Sequence, residues 1–206
     1  MHDSDFQLYL ASASPRRAEL LEQIGIRYRQ MSIDIDEQVL PEESPSDYVN
    51  RLALAKAQAG RAGLSSGDNH PVLGADTAVV VDGEIFGKPK NREDGLRILA
   101  RLSGRCHEVY SAVAIVGRIS DVRCNISKVC FRPLTAVEIQ AYWDSGEPAD
   151  KAGGYAVQGL GAMFIERFEG SYSGVMGLPL FETGSLLLGE GIDMLEPIKI
   201  TEGTGG

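Results

Sequence analysis

No apolar run in this 206-residue chain approaches the ~18–20 residues that a membrane-spanning helix needs, which excludes a helical membrane span. Basic residues are in deficit. Twenty Lys and Arg stand against 29 Asp and Glu, a formal charge of −9. A general hold on nucleic acid or on an anionic membrane needs a net positive face, so neither partner is expected. The deficit leaves room for a small phosphorylated molecule in a local basic pocket. Cysteine is scarce: Cys106, Cys124 and Cys130 are odd in number and form no CxxC pair. They read as reduced thiols of a cytoplasmic protein. The three histidines, His2, His70 and His107, are scattered, which leaves no spacing for a Cys/His zinc site. The opening "MHDSDFQLYL" is acidic and polar and does not read as a signal peptide. Internal repeats and long low-complexity linkers are also missing.

What is present is a globular composition, 43% hydrophobic and 24% charged, long enough to bury a substantial core. Residues 1–195 are expected to form one domain of two lobes, followed by a disordered tail at 196–206. Phe6–Ala13 reads as a strand and about 15–24 as a helix, with Ser14 as N-cap, Pro15 at the first helical position and Gly25 as the stop. A strand over Tyr28–Ile35 runs into "DIDE", and a helix over about 45–59 starts at a Ser44/Asp47 capping box. Val72–Asp82 is a strongly apolar strand that turns at Asp82–Gly83 into a hairpin. Asn91 caps a helix at about 92–102, and strands follow at about 107–117 and 122–132. Thr135 and Glu138 open a helix ending near Gly146. A glycine-rich loop (Lys151–Gly161), a strand (Ala162–Phe168), a turn and a helix at about 179–188 complete the chain. Hairpins mixed with helices, without strict alternation, predict an α/β fold with a mixed sheet and flanking helices.

Several constellations bear chemistry. "LASASPRRAELL" sets Arg16 and Arg17 in the first turn of a helix, at the positive end of its dipole. Either they are solvated, or an anion belongs there, held also by the hydroxyls of Ser12 and Ser14. In "LGADTAVVVDGEIFGKP", Asp76 is a carboxylate in an apolar strand, which needs a metal, a cation or several donors. Strict hairpin pairing would put Thr77 opposite Lys88 and turn Asp76 to the other face, unless a bulge at Gly74 or Gly87 gathers all three. "GEIFGKP" is no P-loop: it is one residue short, and Pro89 stands where Ser or Thr should bind magnesium. "DIDE" (Asp34–Glu37) is an oxygen-rich cluster suited to magnesium or manganese, or else a solvated acidic loop. Lys56 shares a helical face with Val49 and Leu52, so it snorkels or enters a cleft. Lys151 and Gln158 sit on the glycine-rich loop, where the Gln158 amide has the donor and acceptor to read a nucleobase edge.

Taken in order, "LASASPRRAELL", "IDIDE", "YVNRLALAKA", "LGADTAVVVDGEIFGKP", "LARLSGRCHEVYSAVA", "GEPADKAGGYAVQG" and "GSYSGVMGLPL" resemble the successive blocks of the Maf family over roughly Leu8 to Leu188. The resemblance implies an elongated mixed α/β fold related to the inosine triphosphate pyrophosphatases, with two lobes around a deep cleft. It implies a nucleoside triphosphate pyrophosphatase that uses a divalent metal (Mg or Mn) and, in many members, forms a homodimer. Within the family the sequence is most similar to the dTTP/UTP pyrophosphatase subgroup. The family's catalytic acid maps onto Asp76, and its specificity positions onto Arg16, Thr77 and Gln158. Its polar cleft positions map onto Ser12, Arg17, Lys56 and Lys88. Its metal-associated acid maps onto Asp36, beside Asp76, although relatives often carry Glu there. Two other readings use the same cleft: a non-catalytic nucleotide-binding regulator of cell division or septum formation, and a pyrophosphatase for a modified purine nucleotide such as 7-methyl-GTP. Thr77 and Gln158 oppose the purine reading by resemblance.

Overall fold

Strand β3 (Val72–Val81) is buried along its whole length except at Thr77, as its nearly unbroken apolar sequence requires of a central strand. The computed structural model describes residues 6–195, so residues 1–5 and the expected tail at 196–206 lie outside the described residues. The other strands are β1 (Leu8–Ala11), β2 (Tyr28–Met31), β4 (Glu84–Phe86), β5 (Cys106–Val116), β6 (Ser120–Phe131) and β7 (Ile165–Glu169). They form one seven-stranded mixed sheet, ordered β2-β1-β3-β5-β6-β7, with β4 paired to β3. The helices are α1 (Pro15–Gln23), α2 (Pro45–Ala62), α3 (Arg92–Leu102), α4 (Ala136–Asp144), α5 (Tyr172–Met176) and α6 (Leu180–Glu190). Short 3-10 turns occupy Glu147–Asp150, Ala152–Gly154 and Leu160–Phe164.

Local chemistry sets the element ends. Ser44 accepts the Asp47 N–H at 3.1 Å, Asn91 accepts the Asp94 N–H at 2.9 Å, and Thr135 with Glu138 closes a reciprocal capping box. Ser14 holds the N-cap position of α1 without a capping bond; its own N–H donates to Ser12 Oγ at 3.3 Å. Asp82 and Gly83 both take positive φ (50° and 80°), as the expected two-residue hairpin turn demands. The segment 172–176, expected as a turn, is the short helix α5, and β2 ends at Met31 rather than near Ile35.

The cysteines depart from expectation. Antiparallel β5 and β6 bring Cys106 directly opposite Cys130, and the two are joined in a disulfide; Cys124 remains a free thiol. Both strands were legible, but the register that pairs these residues depends on where the turn is centred.

The edges of β3 create the gap on which the site is built. On one edge β3 pairs with β5 in regular register from Val72 to Val80, without a bulge. On the other, parallel β1 reaches only to Gly74, and antiparallel β4 begins only at Val79. Residues 75–78 therefore have no strand beside them on that edge. Asp76 and Thr77 point to opposite faces, yet both are reachable through this opening. Lys88 is not opposite Thr77, because β4 stops at Phe86 and the chain leaves the ladder first. The apolar residues form a cluster at each end of the sheet, around Leu8, Leu10, Leu73 and Val113 and around Val79, Leu99, Phe131 and Tyr142. A third lies between α2 and the sheet, with Leu52, Ala53, Ala57 and Ala78.

Gly74 sets how closely α2 lies on β3. A Cβ there would stand 2.3 Å from the Ala53 carbonyl oxygen and 2.7 Å from the Ala57 nitrogen, both helix backbone. Gly74→Ala is expected to force α2 off the sheet, cost about 1–3 kcal/mol, and weaken the site two residues further along β3. Urea unfolding of the variant checks this; an unchanged midpoint would contradict the packing.

Candidate active site

The gap beside β3 opens into a cleft of about 670 Å³. Ser12, Ser14, Arg16, Arg17, Lys56, Asp76, Thr77, Lys88 and Gln158, all named from the sequence, line it. Asp36 does not. Its Oδ1 accepts the Gln38 N–H at 2.9 Å, closing a local turn, and it is the neighbouring Glu37 that lines the cleft. The structure thus brings Glu37, the next residue along the loop, to the cleft in place of Asp36.

Helix α2 supplies the central contact. Because Gly74 lets the helix backbone close on β3, Lys56 reaches Asp76 on the face that Gly74 and Asp76 share. Lys56 Nζ lies 2.7 Å from Asp76 Oδ1 and 2.7 Å from Glu37 Oε1. Asp76 is 7% exposed. Burial pushes its carboxyl above the ordinary value; Lys56 and Arg17 pull it down, and Glu37 pushes it up. Tyr48, also on α2, donates to the Glu37 carbonyl oxygen at 3.1 Å and fixes the loop that carries this acid.

On the opposite face of β3, Arg17 turns inward. Its Nε donates to the Gly177 carbonyl oxygen at 2.8 Å, NH1 to Ser12 Oγ at 3.0 Å and NH2 to Thr77 Oγ1 at 3.4 Å. Burial lowers its pKa from the usual value, and Asp76 opposes that shift. Thr77 Oγ1 lies 3.1 Å from the hydroxyl of Ser111, its cross-strand partner on β5, which donates to the Gly174 carbonyl oxygen at 2.6 Å. Arg17 thus ties α1, β3 and the segment after α5 into one wall. Arg16, one residue earlier, points away to the far wall and meets Asp150 at 2.9 Å.

The remaining cations are arranged unequally. Lys151 Nζ donates to the Glu147 carbonyl oxygen and to Asp150 Oδ1, each at 2.7 Å. Lys88 and Lys90 line the cleft, and their ammonium groups make no hydrogen bond or ion pair among the described residues. The Gln158 amide is exposed and likewise uncommitted. Beside it the cleft is apolar, with Val79, Val109, Tyr155 and Val157. Tyr155 is held from behind by His107, whose Nε2 lies 2.8 Å from the phenol oxygen; burial drives the imidazole pKa to about 4, so it is neutral. Glu37, Tyr48, Lys90, Asp150 and Tyr155 escaped the reading by motif. The "DIDE" cluster and the lysine-bearing block were the available signals for Glu37 and Lys90; the other three depend on tertiary contacts.

A mixed sheet with a deep cleft, carboxylates bridged by a lysine on one wall and arginines and free lysines around them, defines an α/β protein whose cleft has the charge to suit a small polyanion. The chain belongs to the Maf family: the model of that family, described as Maf-like protein, matches residues 7–190. It is 52% identical over 183 residues to a protein of Alkalilimnicola ehrlichii named dTTP/UTP pyrophosphatase, covering 87% of this chain and 91% of that one. A protein of Pseudoalteromonas translucida with the same name is 53% identical over 181 residues, covering 87% and 95%. Among solved structures, the Ham1 protein of Staphylococcus aureus aligns over 89% of this chain and 98% of its own, with a TM-score of 0.47 and 15% identity.

The two arginines are predicted to separate on substitution. Arg17→Lys keeps the charge but cannot hold Gly177, Ser12 and Thr77 together, and is expected to destabilise the fold by about 1–3 kcal/mol. Arg16→Lys alters a pair whose acid is exposed and is expected to cost less than about 1 kcal/mol. Thermal unfolding of both variants checks this; equal losses would contradict the inward role of Arg17.

Proposed function

We propose that the protein hydrolyses dTTP and UTP to the monophosphate and pyrophosphate. The observation that carries this reading is the Asp76–Lys56–Glu37 bridge, set at an open sheet edge inside a cationic cleft. The names of the half-identical relatives supply the substrate. Asp76 is the base that takes the proton from the attacking water, and burial raises its proton affinity toward that task. Lys56 holds Asp76 and Glu37 in one orientation and keeps the buried carboxylate of Asp76 and the exposed one of Glu37 from repelling each other. Lys88 and Lys90, uncommitted in the cleft, receive the phosphate chain and the charge that develops on the leaving pyrophosphate. Arg17 adds fixed positive charge through the wall it braces, with Ser12 as its partner and Ser14 at the helix entrance. Gln158 and Arg16 select the pyrimidine, which packs along Val79, Val157 and Tyr155; Thr77 contributes by fixing Arg17.

The donor set fits a divalent cation of the magnesium or manganese kind. Among the described residues there is no group of three or more His, Cys, Asp or Glu able to cage a metal. Two converging carboxylates are nevertheless what magnesium takes when substrate phosphates and water complete its shell, and Glu37 and Asp76 would hold it. When bound, the ion would supply charge neutralisation and a more acidic water. The substrate is the free nucleotide rather than a polymer, in keeping with a net charge of −9. Among the described residues no helix is long and apolar enough to cross a membrane. The reading extends to residues 1–195 as one catalytic unit, to the cytoplasm as its compartment and to a homodimer as its assembly, all on family resemblance.

Purified protein with magnesium or manganese is expected to release pyrophosphate from dTTP and UTP faster than from dATP, dGTP or 7-methyl-GTP. Asp76→Asn is expected to lower kcat by roughly 10²–10⁴-fold with the thermal midpoint kept. Tight nucleotide binding without turnover, or near-normal turnover in Asp76→Asn, would overturn the reading.

A further inference from the structure

The cleft is walled by elements belonging to two different apolar clusters, and one side-chain contact ties its rims together. Arg16 stands on α1, which packs into the cluster around Leu8, Leu10 and Leu73. Asp150 ends the 3-10 turn that packs beside α3 and α4, the helices that carry Leu99 and Tyr142 of the second cluster. The two are 134 residues apart in sequence and meet through two bonds: Arg16 NH1 donates to Asp150 Oδ2 at 2.9 Å, and NH2 to the Asp150 carbonyl oxygen at 3.3 Å. A guanidinium held at both terminal nitrogens has its plane fixed. The second carboxylate oxygen of Asp150 accepts Lys151 Nζ at 2.7 Å. One acid therefore sets two cations from opposite walls and the first residue of the loop that carries Tyr155 and Gln158.

The exposures show how this arrangement coexists with a ligand. The Asp150 side chain is 57% exposed, against 18% for Arg16 and 15% for Lys151. The acid lies on the solvent rim and the cations lie deeper. Arg16 has five N–H donors, of which Asp150 takes two, so its remaining donors are free for a nucleotide without Asp150 leaving. Burial works against the charged form of Asp150, but Lys151 and Arg16 hold its pKa down at about 2, so the tie is charged at neutral pH. An exposed pair of this kind adds little to overall stability, which leaves orientation as its main effect.

We propose that Asp150 is a positioning residue for base selection: it fixes the guanidinium of Arg16 relative to the Gln158 loop, so that the two groups grip one nucleobase from opposite walls. This rests on the assignment of Arg16 and Gln158 as base-selecting groups. Asp150 touches neither the scissile bond nor the base; its effect passes through Arg16.

The test is a double-mutant cycle read as substrate preference. kcat/KM for dTTP and for dATP is measured for the intact protein, Arg16→Ala, Asp150→Asn and the double variant, with thermal midpoints alongside. Asp150→Asn is expected to reduce the dTTP/dATP preference by about tenfold, mainly through KM, at an unchanged midpoint; the double variant is expected to match Arg16→Ala, because coupled residues do not add. Asp150→Glu is expected to restore part of the preference. If Arg16→Ala changes the preference while Asp150→Asn leaves it within about twofold, or if the two losses multiply, the positioning role fails and the base-selection reading of Arg16 stands. An unchanged preference in Arg16→Ala overturns both.

Discussion

One ammonium group shared by two carboxylates, at a place where a β-sheet has lost a strand, organises the cleft. Strand β3 carries Asp76 into the interior because, Thr77 aside, the rest of its sequence is apolar, and a buried carboxylate cannot remain charged alone. The gap between the end of β1 and the start of β4 exposes it to a ligand. Lys56 reaches it because Gly74 lets α2 lie directly on the strand, and Glu37 completes the arrangement from the loop after β2. Removing any one element leaves another uncompensated: without Lys56 two acids repel, and without Gly74 the lysine is too far away.

The cations divide by commitment. Arg17 is used up in holding three chain segments together, whereas the ammonium groups of Lys88 and Lys90 make no hydrogen bond or ion pair among the described residues. A polyphosphate gains most from cations that need not first break an existing bond, which is why the proposed reading gives the phosphate chain to the free lysines rather than to Arg17. Fixed walls with uncommitted donors between them are the preorganisation that phosphoryl chemistry needs.

Much of this was readable from residue order. The helix caps at Ser44, Asn91 and Thr135, the Asp82–Gly83 turn and the apolar run of β3 follow from local rules, and the structure places them as expected. The motif blocks brought Ser12, Arg16, Arg17, Lys56, Asp76, Thr77, Lys88 and Gln158 to one cleft. What was not legible turned on a single-residue phase or a long-range contact. Asp36 and Glu37 are adjacent acids in the loop after β2, and a shift of one residue decides which faces the cleft. The Cys106–Cys130 bond needs the β5–β6 register, and Asp150 matters only because a helix 134 residues earlier meets it. Such facts belong to tertiary packing, which spacing along the chain does not encode.

Burial raises the proton affinity of Asp76 while Lys56 restrains it. A carboxyl ¹³C chemical-shift titration of Asp76 in the intact chain measures this directly. The expected inflection lies above the ordinary carboxylate value of 3.8 and moves further up in Lys56→Met, because the substitution removes an opposing positive charge. An inflection at or below 3.8 in the parent chain, or no upward movement in Lys56→Met, would contradict the account.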